Sequence, residues 1–405
     1  MIKSIKLTNF FSFRDEEISL RPDVNLLIGV NGSGKSNVFK AIKALKIGVE
    51  GNKDDTALRE LIVDKWGTFD EIFFKGKIAS SHQNSIGLEF RFDGSRLNEY
   101  GGFNFREDVL YKIVIIKKPN ADNYYISEKI KLESGFTYLD FINGAGHVYE
   151  RINNEKAKPV KYDDYTPHEL ALSKISEFDK DRYYPLVTIK RAIRDIVVYD
   201  YFDTTPDSKL RRAMPATTSD KKLASDGSNL PQIINFIKNQ HRNSYRQLIA
   251  KLKEVNSMYT GFGFNFYGSG AFELLLEEDY LDRSVHINHV SDGTLRYLCL
   301  LAILNNPERG RFICIDEPEV GLHPDMIHNI TTAISEAGVE STFLIATHNE
   351  NVLNGFKIEN LKIFEKDKFN STTVQSYTEP QFEAWYDSFN VGKMWRQNDF
   401  GGNRY

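Results

Sequence analysis

One segment near the amino terminus constrains the fold more than any other part of the sequence. Residues 24–29 (VNLLIG) form a short apolar run that is typical of a buried strand, and a helix is predicted from Lys35 to about Lys46. The link between them, Gly29 to Ser36 (GVNGSGKS), fits the phosphate-binding pattern G-x-x-x-x-G-K-S/T. A strand, a glycine-rich loop and a helix in this order predict an α/β fold that holds a phosphate group at the helix start.

The chemistry expected of this loop follows from its residue types. Glycines let backbone N–H groups turn toward a phosphate, and the helix start adds a partial positive charge. Lys35 is expected to neutralise the β- and γ-phosphates of a nucleotide during catalysis, and the Ser36 hydroxyl to ligate Mg²⁺. The residues expected to hold the nucleotide are Asn31, Gly32, Ser33, Gly34, Lys35, Ser36 and Asn37.

A second strand ends in acids. Residues 311–315 (RFICI) are apolar and are followed by Asp316 and Glu317. Buried strands rarely end in paired carboxylates unless a cation is near. Asp316 is therefore predicted to bind Mg²⁺ directly or through water, and Glu317 to act as general base or to orient the attacking water. His348 follows another apolar run, 342–346, and is predicted to contact the γ-phosphate or the water. The alternatives are a solvated strand end for the acids and a structural role for the histidine.

A third feature is the stretch 290–301 (VSDGTLRYLCLL), which reads as the start of a helix. Ser291, Asp292 and Gly293 are either an ordinary helix cap or a mouth that contacts a nucleotide phosphate. A similar tetrapeptide, SDGS at 225–228, is interpreted as an ordinary cap.

Composition narrows the function classes. The 405 residues carry a formal charge of −4 and a pI near 6.2, which give no overall basic signature for nucleic-acid binding. Local basic clusters keep DNA or RNA contact open, although solvated surface is the simpler interpretation; they are Lys209, Arg211 and Arg212, and Lys238, Arg242 and Arg246. Cys299 and Cys314 lie in apolar runs and are predicted to be buried free thiols. No apolar run approaches the roughly 18 residues of a membrane span, so a cytoplasmic protein without membrane contact is expected.

The pattern along the chain predicts a mixed architecture. Alternating segments between residues 2 and 132 predict an antiparallel sheet, and the stretch 164–256 has a helical period, with a polar loop over 202–224. Apolar runs at 311–315 and 342–346 predict parallel strands. The predicted divisions are 1–163 (phosphate loop and β lobe), 164–260 (helical insertion), 261–360 (second part of the head) and 361–405 (tail).

Taken together, the motifs resemble an ABC-type ATPase head of the RecF, SMC and OLD-like branch. The resemblance rests on GVNGSGKS, SDGTLRYL, FICIDEP, EVGLHP and ATHNE in this order, supported by LTNFFSF and LASDGSNLPQII. It is strong over 1–50 and 286–355 and diffuse between them. It implies a P-loop NTPase head with a mixed central sheet, an antiparallel β subdomain and a helical insertion, no long coiled coil, and ATP and Mg²⁺ as cofactors.

The sequence departs from the family pattern in several places. The usual Leu-Ser-Gly-Gly signature reads Val290-Ser291-Asp292-Gly293, and His323 stands where transporter subunits have the D-loop aspartate. Gln83 is a weak candidate for the Q-loop glutamine. Arg14 resembles the basic residue that lies near the nucleotide in related heads.

The resemblance also implies an assembly. Ser291 lies 25 residues before Asp316, which matches the family spacing. In such heads the signature of one subunit covers the nucleotide of another, so an ATP-dependent homodimer or higher oligomer is expected, with Ser291, Asp292 and Gly293 contacting ATP in trans. Closure on ATP and release on hydrolysis would then control a partner.

Three functions compete for this head. The first is an ATPase of prokaryotic anti-phage defence or toxin control that acts on a separately encoded effector or on nucleic acid. The second is a RecF-like DNA repair or recombination ATPase. The third, a transporter subunit, is disfavoured because the helical segment and the β-rich segment before it exceed the compact subdomain expected there.

The carboxy-terminal stretch carries two further expectations. Only 57 residues follow His348, which predicts a chain without a TOPRIM nuclease domain. The tail is aromatic, with Trp385, Tyr386 and Trp395. It is interpreted either as docking on its own head or as a partner-binding segment.

Overall fold

The computed structural model describes residues 1–76, 84–119, 123–151, 156–216, 220–268, 270–377 and 391–397. Its strands are β1 (Ile2–Phe10), β2 (Phe13–Ser19), β3 (Val24–Ile28), β4 (Ser85–Phe92), β5 (Val109–Lys117), β6 (Tyr124–Leu132), β7 (Thr137–Ile142), β8 (Ala145–Glu150), β9 (Lys158–Tyr162), β10 (Val197–Tyr199), β11 (Met214–Pro215), β12 (Tyr259–Phe266), β13 (Ala271–Glu278), β14 (Val285–His286), β15 (Phe312–Asp316), β16 (Thr342–Ala346), β17 (Leu361–Lys366) and β18 (Thr372–Gln375).

The helices are α1 (Lys35–Glu50), α2 (Ala57–Arg59), α3 (Phe69–Ile72), α4 (Gly94–Leu97), α5 (Lys180–Arg194), α6 (Leu230–Gln240), α7 (Arg242–Val255), α8 (Asp292–Leu304), α9 (Pro324–Ala337), α10 (Glu350–Leu353) and α11 (Val391–Arg396). Short 3-10 turns cover Asn98–Tyr100, Ala171–Lys174, Glu177–Asp179, Lys209–Arg211, Ile287–His289 and Ile358–Asn360, and a π-helical turn covers Glu60–Lys65.

The central sheet is mixed, as predicted. Its order is β10-β15-β16-β3-β17-β18, and every neighbouring pair is parallel except β17 with β18. All five residues of β3 are buried, because both faces of this sheet are covered. Leu27 packs into the core beneath the β lobe, whereas Leu26 and Ile28 pack into the core beneath α8 and α9.

The predicted antiparallel subdomain is an eight-stranded sheet in the order β2-β1-β4-β5-β6-β7-β8-β9. In β4 every second residue is buried, as the alternating sequence predicts. The hairpin of β7 and β8 was not predicted from the sequence. Its turn is Asn143-Gly144, both with positive φ (52° and 82°), so this dipeptide was the available signal.

The predicted helical segment 164–260 divides among several parts of the fold. Helix α5 packs against α1, β10 is an edge strand of the central sheet, and α6 and α7 pack against α8. The segment 202–224, predicted as a loop, contains a 3-10 turn and the two-residue strand β11. The four divisions of the chain stay a prediction.

A third, smaller sheet is antiparallel, with β13 between β11 and β12 and with β14 also paired to β13. The two cysteines are buried and free, as predicted, and burial raises the pKa of both thiols. Among the described residues, no helix is long and apolar enough to cross a membrane.

Part of the tail docks on its own head. The Gly392 N–H donates to Asn354 Oδ1 at 2.8 Å, Arg396 bridges to Glu350 at 2.9 Å, and Trp395 is buried. Docking is therefore the correct interpretation for α11. Trp385 and Tyr386 lie outside the described residues.

Glu128 generates a prediction about pH and stability. This fully buried carboxylate accepts hydrogen bonds from Tyr111 Oη (2.6 Å) and from the backbone N–H groups of Ala171 and Leu172, but burial raises its pKa from 4.5 to about 7. The unfolded chain therefore loses this proton at lower pH than the folded chain does. The free energy of unfolding should fall as pH rises from about 4.5 to about 7.

Chemical denaturation at pH 5 and pH 8 tests this. In Glu128→Gln the free energy of unfolding should decrease less between pH 5 and pH 8 than it does in the wild type, by on the order of 2 kcal/mol. The exposed-face variant Glu89→Gln is the control and should keep the wild-type fall. An unchanged pH dependence in Glu128→Gln would contradict the assignment.

Candidate nucleotide site

Four parallel strands of the central sheet end at one edge. Asp316 lies opposite Ala346, and Ala346 lies opposite Leu27, so β15, β16 and β3 end at nearly the same level. Strand β10 runs parallel beside β15. Carboxyl ends of parallel strands meet at one edge, which is where ligands bind in open α/β sheets. The phosphate loop, the two acids and His348 follow these strands and are brought together there.

The phosphate loop has the backbone shape expected of its glycines. Gly32 and Gly34 have φ of 81° and 112°, and a Cβ on Gly34 would lie 2.6 Å from the hydroxyl oxygens of Ser12 and Thr372. Lys35 lies across the loop, and its Nζ donates to the carbonyl oxygens of Gly29 (2.6 Å) and Val30 (3.3 Å). The curled backbone and the lysine above it fit a phosphate chain.

The electrostatics of the loop also fit an anion. Burial lowers the pKa of Lys35, and the charges of Glu317, Asp316 and Glu319 partly oppose that effect. The Ser33 hydroxyl oxygen is buried without a hydrogen-bond partner among the described residues. Buried polar groups are normally paired, so this hydroxyl is a free donor beside the loop.

No pattern in the sequence predicted the residues that brace this loop. Thr372, the first residue of β18, donates from its Oγ1 to the Ser33 carbonyl oxygen at 2.6 Å, and the same Oγ1 lies 2.8 Å from Ser12 Oγ. Asn37 Nδ2 donates to the same Ser12 oxygen at 3.0 Å. Residues of the β1–β2 turn and of β18 therefore hold the loop from the side of the β lobe.

The predicted metal ligands face each other. Ser36 Oγ lies 3.5 Å from Asp316 Oδ2. Burial raises the pKa of Asp316 to about 6, with further contributions from the negative charges of Glu317 and Asp200. Asp200 follows Tyr199 of β10 as Asp316 follows Ile315 of β15, and Tyr199 and Ile315 lie opposite each other. The sequence contained this similarity, and the prediction missed it. This concentration of negative charge suits a cation.

Magnesium fits this donor set. Within the described part of the chain no group of three His, Cys, Asp or Glu side chains could hold a metal by itself. Mg²⁺ at phosphate sites commonly uses one or two protein oxygens, and it completes its shell with waters and phosphates. The Ser36 hydroxyl oxygen and the Asp316 carboxylate oxygen, 3.5 Å apart, match this coordination preference.

Glu317 and His348 form a pair. His348 Nδ1 lies 3.1 Å from Glu317 Oε1, and both side chains are partly exposed. Glu317 has φ of 48°, an uncommon backbone conformation for a residue with a side chain, and its N–H donates to the Ala346 carbonyl at 2.8 Å. Such strain is often kept at functional sites. The geometry lets the carboxylate take a proton while the imidazole orients it.

Glu319 is a further acid near the site, and the sequence analysis predicted no role for it. It is buried, its Oε1 accepts from Thr347 Oγ1 at 2.6 Å, and burial raises its pKa. Its other oxygen has no partner among the described residues. This contact joins the segment after β15 to the segment before His348.

The signature residues have different neighbours. Ser291 caps α8, and its Oγ accepts from the Thr294 N–H at 3.2 Å. Asp292 bonds to Arg211 at 2.6 Å, and a Cβ on Gly293 would lie 2.7 Å from the Gly321 carbonyl oxygen. In the described part of this chain, no hydrogen bond or ion pair joins these three residues to the phosphate loop.

The residues of the two predicted basic clusters differ in exposure and in their hydrogen-bond partners. Arg211 is 7% exposed and bonds inside the molecule, while Lys209 faces Asp226 at 3.9 Å and Arg212 donates to the Asp207 carbonyl. Arg211 therefore does not belong to a surface basic patch, whereas Lys209 and Arg212 are exposed. Lys238 donates to the Phe262 carbonyl, whereas Arg242 and Arg246 are exposed on α7.

Three further candidates have separate outcomes. Arg14 lies in β2, where its backbone N–H donates to Ser371 Oγ at 3.1 Å. His323 caps α9, accepting from the Asp325 N–H. Gln83 lies outside the described residues.

Comparison with protein families decides the assignment. A family described as "AAA domain, putative AbiEii toxin, Type IV TA system" matches residues 24–354. The chain belongs to this family. The match includes the phosphate loop, the signature, the acids and His348, so this AAA domain carries all of the predicted site residues.

Curated relatives include Endonuclease GajA of Bacillus cereus (strain HuB5-5), 22% identical over 456 residues that cover 93% of this chain and 61% of that protein. The chain thus spans less than two thirds of that endonuclease. The DNA replication and repair protein RecF of Chlamydia caviae is 40% identical over 47 residues, which cover 12% of the chain and 13% of that protein. The chromosome partition protein Smc of Coxiella burnetii is 28% identical over 133 residues, 31% of the chain and 10% of that protein.

Solved structures agree on the fold. An Smc head bound to the C-winged helix domain of ScpA superposes with a TM-score of 0.57 at 14% identity, covering 94% of this chain and 99% of that one. An Smc head with an extended coiled coil, from Pyrococcus furiosus, gives 0.56 at 12% identity, covering 95% and 98%. The predicted fold class is confirmed, because this AAA domain has the fold of Smc head domains.

The two left-handed glycines of the loop make a matched prediction. Gly34→Ala should weaken ATP binding by more than about tenfold, because its Cβ would clash with Ser12 and Thr372 in addition to the backbone strain. Gly32→Ala carries strain but meets nothing within 4 Å, so its loss should be clearly smaller. Titration of a fluorescent ATP analogue measures both. Equal losses would contradict the bracing role of Ser12 and Thr372.

Proposed function

We propose that this chain hydrolyses ATP at composite sites of a head-to-tail dimer, and that the ATP-bound dimer controls a separate effector or a nucleic-acid partner. The observation that carries the proposal is the convergence of Lys35, Ser36, Asp316 and Glu317 at one sheet edge, with the Ser291 cap bonded elsewhere. One chain thus offers a phosphate cradle and, separately, a helix start that could cover a second cradle.

The chain's own residues have defined roles in the proposed hydrolysis. Bound ATP supplies a phosphoanhydride and Mg²⁺ neutralises part of its charge. Lys35 and the loop N–H groups hold the phosphate oxygens, while Ser36 and Asp316 hold the cation. Glu317 accepts the proton of the water that attacks the γ-phosphorus, the bond from that phosphorus to the β–γ bridging oxygen breaks, and ADP and phosphate are the products. His348, 3.1 Å from Glu317, orients that carboxylate.

In the proposed dimer, each nucleotide is also contacted by the start of α8 from the other chain. The start of α8 presents backbone N–H groups, the Ser291 hydroxyl and a partial positive charge, all of which favour an anion. Two copies related by a two-fold axis would each cover the nucleotide of the other. ATP would then stabilise the closed dimer, and hydrolysis would release it.

We place this chain in prokaryotic anti-phage defence or toxin control, with an effector as the acting component. Two comparisons support this setting: GajA, similar over 93% of this chain, is named an endonuclease, and the matching family is described as a putative toxin of a type IV TA system. A RecF-like role in DNA repair is the second candidate, favoured by the short RecF match and by the exposed Arg242 and Arg246 of α7. Stimulation of ATPase activity by DNA, lost in Arg242→Glu, would identify nucleic acid as the partner, and its absence would exclude the second candidate.

Glu317→Gln tests the catalytic assignment. The variant should bind ATP with Mg²⁺ and lose at least ~100-fold in turnover, because the amide cannot accept the proton of water. It should also accumulate an ATP-bound dimer in light scattering. Glu308→Gln, which removes a surface carboxylate 3.8 Å from Lys221, is the control and should hydrolyse ATP at the wild-type rate. Unimpaired turnover in Glu317→Gln would show that Glu317 is not the general base.

A further inference from the structure

The amino-terminal end of α8, formed by Ser291, Asp292 and Gly293 and here called its mouth, carries an unexpected negative charge. Asp292 is the first residue of the helix, directly after the capping Ser291, and its side chain is 63% exposed. In the proposed dimer this mouth faces the terminal phosphate of a nucleotide held by another copy. A bare carboxylate there would repel the anion that the helix start has to attract.

A buried arginine faces this carboxylate. The guanidinium of Arg211, 7% exposed, donates from its Nη2 to Asp292 Oδ1 at 2.6 Å. Its Nη1 donates to the carbonyl oxygens of Ile287 (3.1 Å), Asn288 (3.0 Å) and Val290 (2.9 Å).

The remaining nitrogen, Nε, donates to the Thr204 carbonyl at 2.8 Å. Every nitrogen of the buried cation is therefore bonded, which offsets the cost of its desolvation.

A role in helix capping does not account for this arrangement. Ser291 already caps the helix, and an aspartate in the first turn is favoured by the helix dipole without any partner. Arg211 reaches the mouth from a segment 81 residues earlier and binds the three carbonyls that precede the cap. Its contacts fix the whole mouth and cancel the charge of Asp292.

We propose that Arg211 is a positioning residue that neutralises Asp292 and holds the signature mouth in the form that accepts the γ-phosphate of a partner-bound ATP. The proposal rests on the proposed function, since it concerns the same composite site. It explains how a signature with aspartate in place of the usual glycine can still face an anion.

The test uses the full chain in the Glu317→Gln background, where ATP is not consumed. Dimerisation with Mg-ATP is followed by light scattering in four proteins, which are the parent, Arg211→Met, Asp292→Asn, and Arg211→Met with Asp292→Asn. Arg212→Met is the matched control, because Arg212 is the exposed neighbour whose side chain donates to the Asp207 carbonyl and not to the start of α8. Retained ATP binding by Arg211→Met shows that the variant is folded.

Arg211→Met should weaken ATP-dependent dimerisation at least ~10-fold, because it uncovers the carboxylate. Adding Asp292→Asn should recover most of that loss, while Arg212→Met should lose nothing. The defect of Arg211→Met should also shrink between 0.1 M and 1 M salt, because the screening length falls from about 10 Å to about 3 Å. A purely structural role would give neither the recovery nor the salt effect.

Two results distinguish a failure of the proposed function from a failure of the role proposed for Arg211. If the parent protein does not dimerise with Mg-ATP, the proposed function itself fails. If the parent dimerises but the double variant stays as defective as Arg211→Met at every salt concentration, the charge-neutralising role is overturned. Should Arg211→Met fail to bind ATP, Arg211→Lys replaces it, and a tenfold loss in that variant despite its retained charge would also overturn the proposal.

Discussion

The parallel pairing of β3 with β16, and of β16 with β15, is the constraint on which the candidate site depends. It brings three separate stretches of chain to one sheet edge, with Asp316 opposite Ala346 and Ala346 opposite Leu27. Each stretch carries one part of the chemistry, namely the phosphate cradle, the acids and the histidine. A slip of one register would move the acids away from Ser36, so the apolar packing of the strands also sets the catalytic distances.

The signature mouth is coupled to the acids within the same chain. Gly293 approaches the Gly321 carbonyl so closely that a Cβ would lie at 2.7 Å, and Arg296 of α8 donates to the Val320 carbonyl at 3.2 Å. The loop that follows Glu317 thus contacts the helix that Ser291 caps. A nucleotide bound in trans at that mouth would act on the hydrolytic loop of the chain that contacts it, which gives a physical route between the two sites of a dimer.

Local signals were sufficient for much of the fold. The strand predicted at 342–346 has those bounds in the structure, and the alternation predicted between residues 2 and 132 is present in β4. Both signals were available because they depend only on neighbouring residues. Contacts between distant segments left no such signal. Thr372 braces a loop 339 residues earlier, and Arg211, predicted as part of a surface patch, is buried at the signature. Roles of this kind require the fold itself.

Complementation between two defective subunits tests the central claim, a site shared by two chains, most directly. Lys35→Ala disables the phosphate cradle and Ser291→Arg obstructs the mouth, so each variant alone should be inactive. Mixed in equal amounts, half of the dimers should contain one of each and carry one intact site, restoring about a quarter of the wild-type ATPase rate. A mixture no more active than its components would contradict a shared site, as would full activity of Ser291→Arg alone.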